Sequence, residues 1–388
     1  MVQTAWGQEL NVVNPFLRLH TKLQRTGKAL RNWAHSKIGH VKLLLCAAKQ
    51  LIGILDVVQD FRQLTEQEIQ LKRDLKARVL GLSAVEKIRA KQQSRLTAIK
   101  AENANSRMFF MLINGRKRKN FIQQLHTDSE AVFGHKEKEE IIFQHFSKQF
   151  GTPEQRQFTL DWGAFGMQSH DLSVLEEEFT EEEVLLVVKD IASDKAPGPD
   201  GYIGAFFKAS WTTIKHDLMA AINFFYNQHD QHFKQLNSAH IILIPKKMEA
   251  RSIGDYRTIS LSHSIAKLVS KLLANRLAPF LSMLVSRAQS AFIKKRSIHD
   301  NFLYTQNLIK ELHHAKIPSL FLKLDIAKAF DSVRWDYLME VLQVLGFGPK
   351  WRSWVTTLLA TATTSVFLND SRGGCFRHHT GLRQGDPL

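Results

Sequence analysis

From Phe16 to Ser106 the chain contains no proline. Proline breaks helices by removing an N–H and clashing with the preceding turn, so a long proline-free tract rich in Leu, Lys, Glu, Gln and Arg is free to be helical. The stretch EQEIQLKRDLKARVLGLSAVEKIRAKQQSRLTAIKAENA shows that mixture, with Ile69, Leu71, Leu75, Val79 and Leu80 recurring at helical spacing in a thin stripe. The pattern predicts long helices from residue 16 to about 105, packed on one face or against a partner. It shows no sustained heptads and no internal repeat, so residues 1–105 read as a helical linker region, and a solvated spacer accounts for it as well as an adaptor does.

The net charge of +16 and an isoelectric point near 9.8 favour a polyanionic partner, nucleic acid first and an acidic membrane surface second. No uninterrupted apolar run approaches the ~20 residues of a membrane span. The richest stretch, VKLLLCAAKQLIGILDVV, is interrupted by Lys49. Cys46 and Cys375 are the only cysteines, too few for a disulfide framework or a zinc cluster, and suggest a reducing intracellular compartment. The N-terminus lacks a basic-then-apolar signal pattern.

Residues 106–178 read as a basic connector. Arg116, Lys117, Arg118 and Lys119 lie between Phe109, Phe110 and Phe121. Cations can neutralise phosphates and neighbouring rings can stack on bases, although a short charge run is as often a solvated turn. Thr180 and Glu183 form a capping-box pattern at a helix start. Pro197, Gly198, Pro199 and Gly201 then impose a shaped loop, and a helix is predicted over about 211–228. AHIILIPKK and GDYRTISL read as short strands, and SIAKLVSKLLANRLAPFLSMLV as an amphipathic helix. The last third reads as a strand over 320–325, helices over about 334–345 and 350–360, and a hairpin turning at DSRGG. The fold class is α+β.

SLFLKLDIAKAFDSV, residues 319–333, ends an apolar run on Asp325. A carboxylate at a strand end can hold Mg²⁺ through a hard oxygen, and phosphoryl transfer by two metals needs a second carboxylate beside it. Asp331, Asp336 and Asp386 have no spacing that recommends them. Alone, Asp325 is as well read as a helix cap or a surface residue, and Phe330 as a core aromatic.

KAPGPDG, LIPKK, DYRTISL, QSAFIKKRSIHDN, LDIAKAFDSV and GLRQGDPL occur in this order. Together they resemble the reverse transcriptases of non-LTR (LINE-type) retrotransposons, with a flavour of plant elements, from about Phe179 to Leu388 and more loosely back to about Ser106. The resemblance implies a right-hand polymerase, with fingers over 179–300 and a partial palm over 301–388. It implies that Asp325 is catalytic and binds Mg²⁺, that the backbone at Ile326 lies beside the incoming triphosphate, and that Phe330 blocks a 2′-hydroxyl and so selects deoxynucleotides. Lys246, Lys247 and Arg257 would meet the nucleotide's phosphates. Gln289 and Arg296 would line the template path, and Gln384 and Gly385 would pack on the template base and nucleotide. Two departures stand out: Thr258 replaces the usual proline, and Lys295 the usual glycine.

The family's second carboxylate belongs to an aromatic-Ala-Asp-Asp hairpin, and no Ala-Asp-Asp triplet occurs here. The expectation is therefore a truncated fragment of an RNA-directed DNA polymerase, inactive alone. Its partners would be an RNA template, a DNA primer and deoxynucleoside triphosphates, without a membrane and in the nucleus. The competing reading is a non-catalytic nucleic-acid-binding remnant.

Overall fold

The structure, a computed structural model, describes residues 1–94, 106–127, 130–227, 231–326 and 328–386. It divides into two compact units, residues 1–9 with 22–123, and residues 10–21 with 124–388. The helical reading of 95–105 and the helix end expected at Gln228 fall outside the described residues.

The first unit is helical. It holds α1 (Val2–Trp6), most of α2 (Pro15–Ile38), α3 (Val41–Phe61), α4 (Glu66–Ser94) and α5 (Ser106–Asn120). The proline-free tract is thus broken twice. The second break is set by Thr65, whose hydroxyl faces the Glu68 N–H at 3.4 Å while Glu68 accepts from the Thr65 N–H at 2.9 Å. Glu68 also takes both arms of Arg62, at 2.6 and 2.8 Å. Ala48, Leu55 and Leu75 form a small core between α3 and α4, and Ala90 packs with Phe109 between α4 and α5. The cores are narrow because the apolar stripe is narrow: Leu43, Ile54, Val57 and Leu80 remain exposed.

The second unit is α+β. Its helices are α6 (His135–Gln149), α7 (Glu181–Asp190), α8 (Gly204–Ala209), α9 (Trp211–Asn227), α10 (Ser264–Leu277), α11 (Leu281–Leu284), α12 (Ile298–His314), α13 (Trp335–Val344) and α14 (Pro349–Ala360). A two-residue pair, β1 (Leu125–His126) with β2 (Ala131–Val132), stands apart from the main sheet. That sheet has the order β4-β3-β5-β6, from β3 (Ser238–Pro245), β4 (Tyr256–Ser262), β5 (Thr363–Leu368) and β6 (Ser371–Arg377). β3 pairs antiparallel with β4 and parallel with β5. Ala239, Ile241 and Leu243 of β3 alternate into the core, the period-2 signature of a strand with one buried face. α6 covers β6 with Phe146 and Phe150 stacked on Phe376. Phe16 meets Phe224 and Phe233 edge-on at 5.0 and 5.2 Å, which fastens residues 10–21 to α9.

The Thr180–Glu183 capping box is present, with bonds of 3.1 and 3.2 Å. Two expectations are corrected. The hairpin turns at Asn369 and Asp370 rather than at DSRGG, with φ of +50° and +67°, and Ser371 already pairs with Leu368. Asn and Asp tolerate the left-handed region, so a two-residue turn matching the strand twist forms there. Residues 320–325 form no strand. Leu320, Phe321 and Leu324 are exposed, the first at 93%. A strand is stabilised by cross-strand partners and a buried face, and among the described residues no strand pairs with this run.

Candidate nucleotide and nucleic-acid site

The outer edge of β4 is where distant segments converge. The Ser260 N–H donates to the Gln384 carbonyl at 3.1 Å, and the Thr258 hydroxyl lies 3.4 Å from Gln384 Oε1. Two residues before Gln384, the Leu382 N–H donates to the Phe330 carbonyl at 2.7 Å. Gly381 N–H donates to the Val333 carbonyl at 2.8 Å, and Trp335 Nε1 donates to the Gly381 carbonyl at 2.9 Å. Gly381 has φ +76°, and a Cβ there would meet the Asp331 carbonyl at 2.7 Å, so glycine is required for the two segments to touch. The Phe330 ring, 43% exposed, meets Phe292 edge to face at 6.3 Å. Thr258, Gln384, Phe330 and Phe292 are thereby linked in series through Leu382.

The loop holding Gln384 and Gly385 is anchored from below. Arg383 is half-buried, and its Nη atoms donate to Asn237 Oδ1 and to the Asn237 carbonyl, both at 2.6 Å. Asn237 in turn donates to the Leu358 carbonyl at 2.7 Å. Asp386 is half-buried beside β4, with the Ser262 hydroxyl 3.5 Å from its Oδ2. Burial pushes the Asp386 carboxyl up and pulls the Arg383 guanidinium down to about 10. Gly385 spans the turn between them at φ +103°. Alongside, the His263 ring caps α10 by accepting from the Ile265 N–H at 3.2 Å, and Asp200 Oδ2 accepts from the Ser264 N–H. Burial pulls His263 down to about 4, keeping the ring neutral and able to accept. Gly198 makes this contact possible, since a Cβ there would lie 2.1 Å from the Ser262 carbonyl. Spacing could not have revealed the Arg383–Asn237 or Asp200–Ser264 contacts. The only hint was the Pro/Gly-dense loop itself.

Other expected residues sit differently. Lys246 Nζ donates to the Gly254 carbonyl at 2.9 Å, and Lys247 pairs with Asp255 at 2.7 Å, so both brace the turn between β3 and β4. Arg257 is exposed on β4. Arg296 spends its guanidinium on the Val285, Ser286 and Gln289 carbonyls and clamps its own loop, while Gln289 donates to Ala291. Lys295 has φ +68° and Phe292 +65°, the left-handed backbone that explains why glycine suits position 295. Arg116, Lys117, Arg118 and Lys119 are exposed at the end of α5.

Asp325 and Ile326 are exposed in the non-strand segment. None of the other candidate aspartates is shown joining Asp325. Asp331 is half-buried beside Lys328, Asp336 is paired with Arg334 at 2.8 Å, and Asp386 is half-buried at β4. Among the described residues no group of three or more His, Cys, Asp or Glu is placed to hold a metal ion. The set present among the described residues does not fit a two-ion clamp.

Residues 244–388 match the family described as reverse transcriptase (RNA-dependent DNA polymerase). This segment is a reverse transcriptase domain. Its relatives place it among those of non-LTR retrotransposons. The chain is 30% identical over 214 residues to the transposon TX1 149 kDa protein of Xenopus laevis, covering 55% of this chain and 16% of that one. It is 26% identical over 204 residues to a Pol polyprotein of the type-1 retrotransposable element R2 of Nasonia vitripennis, covering 52% and 19%. It is 31% identical over 219 residues to the probable RNA-directed DNA polymerase from transposon BS of Drosophila melanogaster, covering 53% and 22%. The chain thus spans about a fifth of the length of the curated relatives it matches. No helix among the described residues is long and apolar enough to cross a membrane.

Proposed function

We propose that residues 179–388 are the fingers and part of the palm of an RNA-directed DNA polymerase, which adds deoxynucleotides to a DNA 3′-hydroxyl on an RNA template and works in the nucleus. The observation that carries this is a chain of contacts that starts at the edge of β4: Thr258 and Ser260 meet Gln384, Leu382 holds the Phe330 carbonyl, and the Phe330 ring meets Phe292, which links four segments far apart in sequence. In this reading Arg257 grips phosphate, the Phe330 ring excludes a 2′-hydroxyl, and the anchored turn at Gln384–Gly385 forms a rigid floor. Mg²⁺ belongs to the reading with Asp325 as a single ligand.

The second reading is a nucleic-acid-binding chain without polymerase activity. It is favoured by one observation, the exposed Asp325 with no gathered carboxylate partners among the described residues. A photoreactive deoxynucleotide, an RNA template and a DNA primer separate the two. Template-dependent labelling of the peptide containing Gln384 supports the polymerase site. Template binding with no labelling supports the second reading. Primer extension by the 388-residue chain itself is expected to be absent.

A further inference from the structure

The positive charge is not spread over the molecule. The first unit, residues 1–9 and 22–123, holds 22 Lys and Arg against 8 Asp and Glu, a net +14. The second unit, which contains residues 244–388 that match the reverse transcriptase family, holds the remaining 31 and 29, a net +2. Almost the entire +16 therefore lies outside the domain that handles nucleotides. Between Glu9 and Asp56 the chain has 8 basic residues and no acidic one. Between Glu86 and Asn120 it has 10 basic residues and a single Glu102.

Much of this charge is at the surface. Lys28, Arg31, Lys37, Lys42 and Lys49 of α2 and α3 are exposed, as are Arg116, Lys117, Arg118 and Lys119 of α5. Lys42 Nζ lies 5.2 Å from the centre of the Phe110 ring, which brings the start of α3 beside α5. His35 and His40 face each other at 5.5 Å across the turn from α2 to α3. Trp33 and Phe121 are 45% and 59% exposed next to these cations. Cations in the last turn of α5 also complement its dipole. That accounts for neither the cations of α2 and α3 nor the missing acids.

We propose that the helical unit is this chain's main grip on single-stranded nucleic acid. The turn between α2 and α3 (Arg31, Lys37, Lys42) and the end of α5 (Arg116–Lys119) neutralise backbone phosphates, while Trp33 and Phe121 offer faces for bases. The stretches RNWAHSK and NGRKRKN, which carry most of the cations assigned here, contain one bulky apolar residue, Trp33. An anionic membrane surface favours apolar residues interleaved with the cations. The proposal is independent of the polymerase reading, because its residues lie in the other unit.

The test measures fluorescence anisotropy of the full 388-residue chain with single-stranded RNA and DNA of about 20 nucleotides across a salt series. Replacing Arg116, Lys117, Arg118 and Lys119 together by Gln is expected to weaken binding at least tenfold at about 0.15 M salt and to flatten the log–log salt slope by about 3. Replacing Arg31, Lys37 and Lys42 by Gln flattens it by about 2. Removing four exposed cations of the second unit (Lys294, Lys295, Lys316 and Lys323 to Gln) changes affinity less than about threefold. Exchanging Arg for Lys and Lys for Arg at 116–119 keeps affinity within about threefold, which guards against a folding artefact. Equal losses from the second-unit set, loss in the charge-keeping exchange, or binding to phosphatidylserine vesicles with no binding to either strand would each overturn the proposal.

Discussion

Phe292 and Phe330 meet edge to face, ring centroids 6.3 Å apart and planes at 82°, although they lie in separate segments of the chain. Phe292 is itself 91% exposed, so its ring only flanks Phe330, whereas the Leu382 N–H holds the Phe330 backbone carbonyl from the other segment. A ring whose backbone is held in place can exclude an atom by its bulk.

Nucleotide choice follows from this. Phe330→Ala is expected to reduce the preference for dGTP over GTP about tenfold, or about 1.4 kcal/mol, in competition for photolabelling on a template–primer. Phe292→Ala should cause a smaller change in the same direction. An unaltered preference in Phe330→Ala removes the steric argument.

Arg276 is the main fastener of α7 to α10. Its guanidinium donates to both oxygens of Glu183 at 2.8 and 2.7 Å and to the Leu175, Glu177 and Glu178 carbonyls, and it lies 4.2 Å from the centre of the Phe179 ring. Lysine has neither the fork nor the flat face, so Arg276→Lys is expected to destabilise the second unit by about 2 kcal/mol. Thr180→Ala, which removes only the cap, should lower stability by about 1 kcal/mol. Urea unfolding gives both values, and a costlier cap than fastener contradicts the ranking.

Gly381→Ala tests the junction of the two segments. It forces a side chain into φ +76°, against the Asp331 carbonyl at 2.7 Å and the Phe150 ring at 2.9 Å. A loss of about 2–4 kcal/mol is expected from the backbone strain and the overpacking together. A melting temperature equal to that of the parent means the segments do not touch as described.

Stability should fall in mild acid. Burial lowers His263 to about 4 and His378 to about 3, from an ordinary 6.5. Below pH 6.5 the unfolded chain takes up protons that the folded one refuses, so stability is full above that value and declines as pH falls toward 4. For His263 the decline amounts to about 2–3 kcal/mol. Asp386, raised by burial, acts in the opposite sense, so the histidine effect is read as a difference between proteins. His263→Asn keeps an acceptor for the α10 cap and should flatten the decline. Parallel pH profiles for parent and variant would show that His263 is not responsible.

What the sequence determined is what a few neighbouring residues can specify. Thr180 and Glu183 sit three apart and cap a helix wherever it lies. Alternation in AHIILIP makes β3, and the absence of proline lets α2 to α5 be helical. Lys295 stands where the resembling family has glycine, and its backbone is left-handed, at φ +68°. The tertiary structure decided the rest. The apolar run 320–325 looks like a strand, but a strand exists only with a partner, and none pairs with it among the described residues. Lys246 and Lys247, which the resemblance makes phosphate ligands, also bond to carbonyl and carboxylate groups of their own hairpin, a contact that spacing alone does not reveal. Arg383, on which the spacing of residues is silent, is the half-buried anchor of Gln384, because Asn237 and β5 come from far along the chain to meet it. Local propensity acts within a turn or two of backbone, whereas a site is made by segments that only the completed sheet brings together.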